Sequence, residues 1–265
     1  MEDLPFVSMN FLAAIMAERK ADVQTAKNVV AEAALRELAR GRVHHSLVAR
    51  LRGTPGTRVI AEVKKASPSA GVLRADYRPA ELARGYERAG AVGVSVLTAP
   101  RHFQGSAQHL REVRRAVELP LLRKDFVCDP YQIAEAAAWG ADVVLLIAAA
   151  LPPPDLRALY EVAIQFGLEA LVEAHTAAEV KAALALEHAI VGVNSRDLKT
   201  LATDLAIARE LAALIPDDRL AIAESGIRTR ADVAALERAG YDGFLIGETL
   251  LRDPAPGAKL RELLA

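Results

Sequence analysis

Glu62 and Lys64 stand two residues apart in the apolar run Val59-Ile60-Ala61-Glu62-Val63-Lys64. In an extended strand that spacing sends both side chains to one face. A Glu and a Lys on a buried face are costly unless they are paired, hydrated or used. Lys124 closes a second run, Pro120-Leu121-Leu122-Arg123-Lys124, and Glu173 closes a third, Leu171-Val172-Glu173. Asn194 ends Ile190-Val191-Gly192-Val193-Asn194, with Arg196 two residues on. Together these types offer a general acid, a general base, and groups that orient hydroxyls or carboxylates. Lys124, set among other cations and partly dehydrated, would be acidified toward the range of a useful acid catalyst; it can equally form a Schiff base with a carbonyl. For Glu62 and Lys64 the alternative is a structural ion pair.

Such polar groups at the ends of apolar runs need a fold that gathers run ends. Eight runs lie near 58–64, 92–97, 120–124, 142–148, 168–173, 189–193, 219–223 and 242–246. They are rich in Val, Ile and Leu without polar alternation, as strands covered on both faces are. Helical stretches separate them: Pro79–Ala89, Ser106–Val117, Pro130–Trp139, Asp155–Phe166, Ala177–Leu186, Asp204–Ile215 and Arg230–Ala239. Successive runs start about 21 to 34 residues apart, the period of a βα unit. Around Gly90, Gly140 and Gly240 one pattern repeats: a helix ends, a glycine supplies the left-handed position, and a buried strand follows. Eight units without linkers predict a closed (β/α)8 barrel, in which strand ends share one mouth. A doubly wound open sheet is the runner-up, but its glycine-rich fingerprint after the first strand is missing. Residues 1–265 read as one domain, with 58–265 as the barrel and 1–57 as a helical extension. That extension is expected over the barrel mouth, or alternatively as a surface helix packed on the ring.

The barrel gives the glycines at the last two strand ends a meaning. Ser225-Gly226 after the seventh run and Gly247-Glu248 after the eighth occupy the position where barrels hold phosphate. Glycines expose backbone N–H groups, and a following helix adds a favourable dipole. The Glu248 carboxylate would repel phosphate, so only its N–H is expected to help. Phe103 and Phe126, in the loops after the second and third runs, either wall an aromatic pocket or serve ordinary packing. The small residues of Lys65-Ala66-Ser67-Pro68-Ser69-Ala70-Gly71 let a backbone approach a ligand.

Composition narrows the class. Lys plus Arg number 33 against 34 Asp plus Glu, so no basic field draws nucleic acid, and an anionic ligand needs a local site. Hydrophobic residues make up 52 %, enough for a large core. The one cysteine, Cys128, forms no internal disulfide and fits a reducing cytosol as a buried or incidental thiol. No signal peptide is legible, and the longest apolar stretch, 143–151, is too short to span a bilayer. A cytoplasmic location is expected, with neither membrane nor nucleic acid as partner. A monomer is expected, a weak dimer being the alternative.

Seven blocks at these run ends resemble the indole-3-glycerol-phosphate synthase family of tryptophan biosynthesis, over residues 58 to 252. They are Ile60-Ala61-Glu62-Val63-Lys64-Lys65-Ala66-Ser67-Pro68-Ser69, Ser95-Val96-Leu97-Thr98, Phe103-Gln104-Gly105-Ser106, Leu122-Arg123-Lys124-Asp125-Phe126, Val193-Asn194-Ser195-Arg196-Asp197-Leu198, Ala223-Glu224-Ser225-Gly226-Ile227 and Leu245-Ile246-Gly247-Glu248. The resemblance implies a carboxy-lyase that closes the ring of 1-(2-carboxyphenylamino)-1-deoxyribulose 5-phosphate with loss of carbon dioxide and water. It implies no metal and no organic cofactor. It implies that Lys124 is the general acid at the substrate carbonyl and Glu173 the acid/base of dehydration. Lys64 would pair with substrate anions, including the phosphate, with Glu62 and Asn194 positioning these groups. Ser67, Ser225, Gly226, Gly247 and the Glu248 backbone would hold phosphate. Phe103, Phe126, Leu145 and Leu198 would pack the aromatic ring, with Arg196 near its carboxylate. The chain departs from the family at Ala99-Pro100, where an acidic residue is usual, which puts the rigidity of that loop in question. Two other readings remain on the residues alone: a Schiff-base aldolase, and a barrel that binds sugar phosphates without turnover.

Overall fold

The computed structural model describes residues 11–197 and 200–265; Leu198 lies outside them. Eight parallel strands close a barrel in chain order: β1 (Val59–Val63), β2 (Gly93–Leu97), β3 (Leu121–Lys124), β4 (Val143–Ile147), β5 (Glu169–Ala174), β6 (Ile190–Asn194), β7 (Ala221–Glu224) and β8 (Gly243–Ile246). Closure comes from pairing of β8 with β1, Phe244 beside Val59 and Ile246 beside Ala61. Ile60, Leu122, Leu145, Leu171, Ile190, Ile222 and Leu245 fill the interior, while Ala61, Val63, Val94, Val96, Val144 and Val172 face the helices. Both faces of each strand are therefore dry, which is why the runs carry no polar alternation.

The ring helices are α4 (Pro79–Ala89), α5 (Ala107–Arg114), α6 (Pro130–Trp139), α7 (Pro153–Gln165), α8 (Ala177–Leu184), α9 (Leu205–Ala212), α10 (Arg230–Arg238), α11 (Glu248–Arg252) and α12 (Pro256–Leu264). Their starts are written in the sequence: Ser106, Asp129, Thr176, Asp204 and Thr229 each accept a backbone N–H of the first turn. Gly90, Gly140 and Gly240 take φ of 100°, 92° and 107°, the left-handed stop that lets the chain turn back into a strand.

The extension does more than cover the mouth. It comprises α1 (Phe11–Val29), α2 (Glu32–Ala39) and α3 (Leu47–Gly53). Phe11 and Leu12 reach the cavity at the C-terminal end of the barrel. Arg19 then grips the buried Asp125 with two hydrogen bonds of 2.9 Å. Helix α2 lies on the ring against α6. Helix α3, not foreseen from sequence, plugs the opposite end: Leu47 and Leu51 join the interior cluster, and Glu169 of β5 accepts the N–H groups of Leu47 and Val48 at 2.8 and 3.1 Å. A short hairpin, Ala66–Ser67 with Gly71–Val72, shapes the loop after β1. Among the described residues no helix is long and apolar enough to cross a membrane.

Candidate active site

In a barrel of this kind alternate strands stack their inward side chains in layers of four. Here the odd strands β1, β3, β5 and β7 raise Glu62, Lys124, Glu173 and Glu224 toward the mouth, and all four are charged types. Lys124 Nζ donates to Glu173 Oε2 and Glu224 Oε2, each at 3.1 Å, so the ammonium lies between two carboxylates. Lys64, one inward position above Glu62, meets Glu62 Oε1 at 2.6 Å. Two glycines make room. A Cβ at Gly192 would overlap Glu224 Oε1, and one at Gly247 would overlap Glu62 Oε1.

Three carboxylates around so few cations, almost closed to water, cannot all be charged at low cost. Glu224 gives way. Burial pushes its pKa up to about 7; Lys124 opposes the rise, and Glu173 and Glu62 add to it. Its Oε1 is buried and has no hydrogen-bond partner among the described residues, which adds to the cost of a charge there. Glu173 moves the other way. Against burial, Lys124 and His175 attract its charge, and hydrogen bonds from Lys124 and Asn194 hold it below the ordinary carboxylate value.

Lys124 itself departs from the sequence expectation. Its neighbours are carboxylates, not cations. Burial opposes its charge, but Glu173, Glu224 and Glu62 together overcome that and raise its pKa above the ordinary lysine value. The nitrogen is an ammonium at any neutral pH, which suits a proton donor and electrostatic anchor and disfavours the free amine of a Schiff-base nucleophile.

Around this layer opens a cavity of about 860 Å3. Every site residue expected from sequence and described here lines it: the five charged or amide groups, Ser67, Phe103, Phe126, Leu145, Arg196, Ser225, Gly226, Gly247 and Glu248. Phe103 and Phe126 stand 5.9 Å apart, tilted by 40°, and with Leu145 form an apolar wall. Ser225 and Gly226 are successive left-handed residues, φ 66° and 78°, and turn the backbone after β7 sharply. A non-glycine residue in that region is sustained only where its surroundings insist on it. The Glu248 carboxylate is paired with Arg196 (3.4 Å) and Arg252 (2.9 Å), which also line the cavity and offset its charge. The loop after β2 is tied down despite Ala99-Pro100: Gly105 N–H donates to Ala99 O at 2.9 Å, and Thr98 Oγ1 to Asp125 at 2.8 Å.

The sequence model described as indole-3-glycerol phosphate synthase matches residues 12–263. A protein of that name from Carboxydothermus hydrogenoformans is 44 % identical over 265 residues, covering 96 % of this chain and 100 % of the relative. Another, from Kineococcus radiotolerans, is 53 % identical over 210 residues, 79 % of this chain and 77 % of its own. This chain belongs to the indole-3-glycerol phosphate synthase family. Among solved structures, the tryptophan synthase alpha subunit of Legionella pneumophila aligns with a TM-score of 0.60 at 16 % identity, covering 83 % of this chain and 97 % of that one. That likeness speaks to the barrel alone.

Three contributions to the cavity were not expected from the sequence. Glu224 ends β7 as Glu173 nearly ends β5, so the same strand-end rule points to it; its neighbours Ser225 and Gly226 drew the attention instead. Arg252 lies on α11, outside any strand end, and reaches the cavity beside Glu248. Phe11 and Leu12 come from the extension, where an Ala-rich helical pattern carries no mark of a ligand contact.

Proposed function

We propose that this chain, as a member of that family, closes the indole ring of 1-(2-carboxyphenylamino)-1-deoxyribulose 5-phosphate by acid–base catalysis on the Lys124 layer. The observation that supports it most directly is the ammonium of Lys124 held between two buried carboxyl groups, Glu173 kept ionised and Glu224 pushed up to about 7, at the base of an apolar cavity.

The substrate phosphate sits against the N–H groups around Ser225, Gly226, Gly247 and Glu248, with Lys64 and Ser67 beside it. The anilino ring lies on Phe103, Phe126 and Leu145, its carboxylate toward Arg196. Leu198 is assigned to the same wall by sequence. Binding energy from phosphate and ring, remote from the reacting carbons, then holds the carboxyl-bearing ring carbon against the ketone. As that carbon attacks, an alkoxide far more basic than an amine develops, and Lys124 yields its proton to it. Glu224, in hydrogen-bonding contact with Lys124 and pushed up to about 7, restores that proton when it carries one. Carbon dioxide leaves, and the electron pair of the broken carbon–carbon bond stays behind to re-form the aromatic ring. Loss of water then needs an acid at the departing hydroxyl and a base at the neighbouring carbon. Glu173 is the base, kept ionised by its surroundings, and Lys64 the donor. Glu62 and Asn194 position these groups. We further read residues 1–265 as one domain working as a monomer in the cytoplasm, where a single cysteine fits a reducing compartment.

The reading is tested by following carbon dioxide release and indole absorbance separately in single turnovers. Lys124→Ala is expected to lower kcat by a hundredfold or more with KM little changed. Glu173→Gln is expected to release carbon dioxide and stall before the indole forms. If Glu173→Gln blocks carbon dioxide release as fully as Lys124→Ala, the division of roles is wrong.

A further inference from the structure

His175 follows β5 directly and does not line the cavity, yet it stands behind Glu173, whose carboxylate Lys124 holds from the cavity side. Its Nε2 is buried, has no hydrogen-bond partner among the described residues, and lies 3.5 Å from Glu173 Oε1. Its Nδ1 lies 3.4 Å from Glu179 Oε2, on the first turn of α8. The same Glu179 oxygen accepts the His175 backbone N–H at 2.8 Å, which fixes the ring relative to the helix. A neutral imidazole has a donor on only one nitrogen. Here both nitrogens face carboxylate oxygens, so the neutral ring would set a lone pair against one of them. Only the doubly protonated ring satisfies both sides.

We propose that His175, held as an imidazolium by Glu179, is a positioning residue that keeps Glu173 ionised and aimed into the cavity. Glu173 Oε2 is occupied by Lys124, so its carboxylate is gripped from both ends, by a catalytic ammonium in front and an imidazolium behind. The charged groups facing His175 are Glu173 on β5, Glu179 on α8 and Glu224 on β7. Although burial works against a charge there, the hydrogen bond to Glu179 and the attraction of these three carboxylates raise the His175 pKa above its ordinary value. Helix capping alone would need Glu179 but not the imidazole, since the cap bond is made by the backbone.

The inference rests on the assignment of Glu173 as the base of dehydration. The test uses the full chain and the pH profile of kcat in His175→Gln, which keeps a donor of similar reach and removes the charge. Without the imidazolium, Glu173 holds its proton to higher pH. The acid limb should therefore move up by about one pH unit, with kcat reduced roughly tenfold at pH values below the wild-type limb, little changed at neutral pH, and KM within twofold. Glu179→Gln, which can still accept the cap bond, should move the limb the same way by less. A merely structural role would lower kcat at every pH and leave the limb in place, and that result overturns the proposal. Should His175→Gln fail to fold, nitrogen-15 spectra of the histidines in the unmodified protein decide. Both His175 ring nitrogens should carry protons at pH 7, and a neutral ring there overturns it. Glu173→Gln is run in parallel. If that variant makes indole at the normal rate, the assignment of Glu173 fails and the inference falls with it. If it is impaired while the His175→Gln limb is unmoved, only the inference fails.

Discussion

Replacing Glu224 by Gln should make the protein more stable and less active, and the size of the gain should depend on pH. The folded protein raises this carboxyl from 4.5 to about 7, burial being the main cause. At acid pH below the unfolded value, both states hold the proton and nothing is lost. Between about 4.5 and 7 the unfolded chain releases it while the folded chain keeps it, so stability falls as pH rises. Above 7 the whole penalty is in place. At about 1.4 kcal/mol per pH unit it is on the order of 3 kcal/mol. Gln is nearly isosteric, still accepts the Lys124 hydrogen bond through its amide oxygen, and has no proton to lose. Wild type and Glu224→Gln should therefore melt together below about pH 4 and diverge toward pH 8, the variant there melting roughly 6 to 12 °C higher. Differential scanning calorimetry across that range reads the difference directly, because carboxylates elsewhere titrate alike in both proteins. Turnover should fall about tenfold, since the proton returned to Lys124 is gone. A variant that melts at or below wild type at pH 8, or a difference that does not grow with pH, would refute the charge accounting for the layer.

Gly247→Ala places a methyl group against Glu62 and should cost about 1 to 3 kcal/mol by overpacking, with KM raised more than kcat is lowered as the phosphate loop shifts. Thermal melting and steady-state kinetics check it; an unchanged KM would count against phosphate binding at this strand end. Arg19→Met removes two hydrogen bonds to Asp125, which keeps Arg123 and Thr98. A loss of about 2 kcal/mol is expected, with kcat reduced because Asp125 adjoins Lys124. A melting point within 1 °C of wild type would show that α1 does not brace β3.

Much of this protein could be read from its chain because strand, helix and stop each have a local signature. Unbroken Val/Ile/Leu runs marked strands that are dry on both faces, and the helical stretches between them, such as Pro130–Trp139 and Arg230–Ala239, marked the ring. Glycines at 90, 140 and 240 marked the turns back into the sheet. Once eight such units imply closure, every residue at a run end is brought to one mouth, so Glu62, Lys64, Lys124, Glu173, Asn194 and Arg196 could be assembled without coordinates. What spacing along a strand does not contain is the neighbour across the barrel. The ionisation of Lys124 depends on Glu173 and Glu224, which are 49 and 100 residues away, so the sequence suggested an acidified lysine where the fold holds a firm ammonium. The proton on Glu224 has the same origin, since it follows from dehydration and three converging charges. Helix α3 under the barrel and Phe11 at its mouth were decided by tertiary packing too: a short amphipathic segment shows that it has an apolar face, but only the closed barrel supplies the ends for that face to cover.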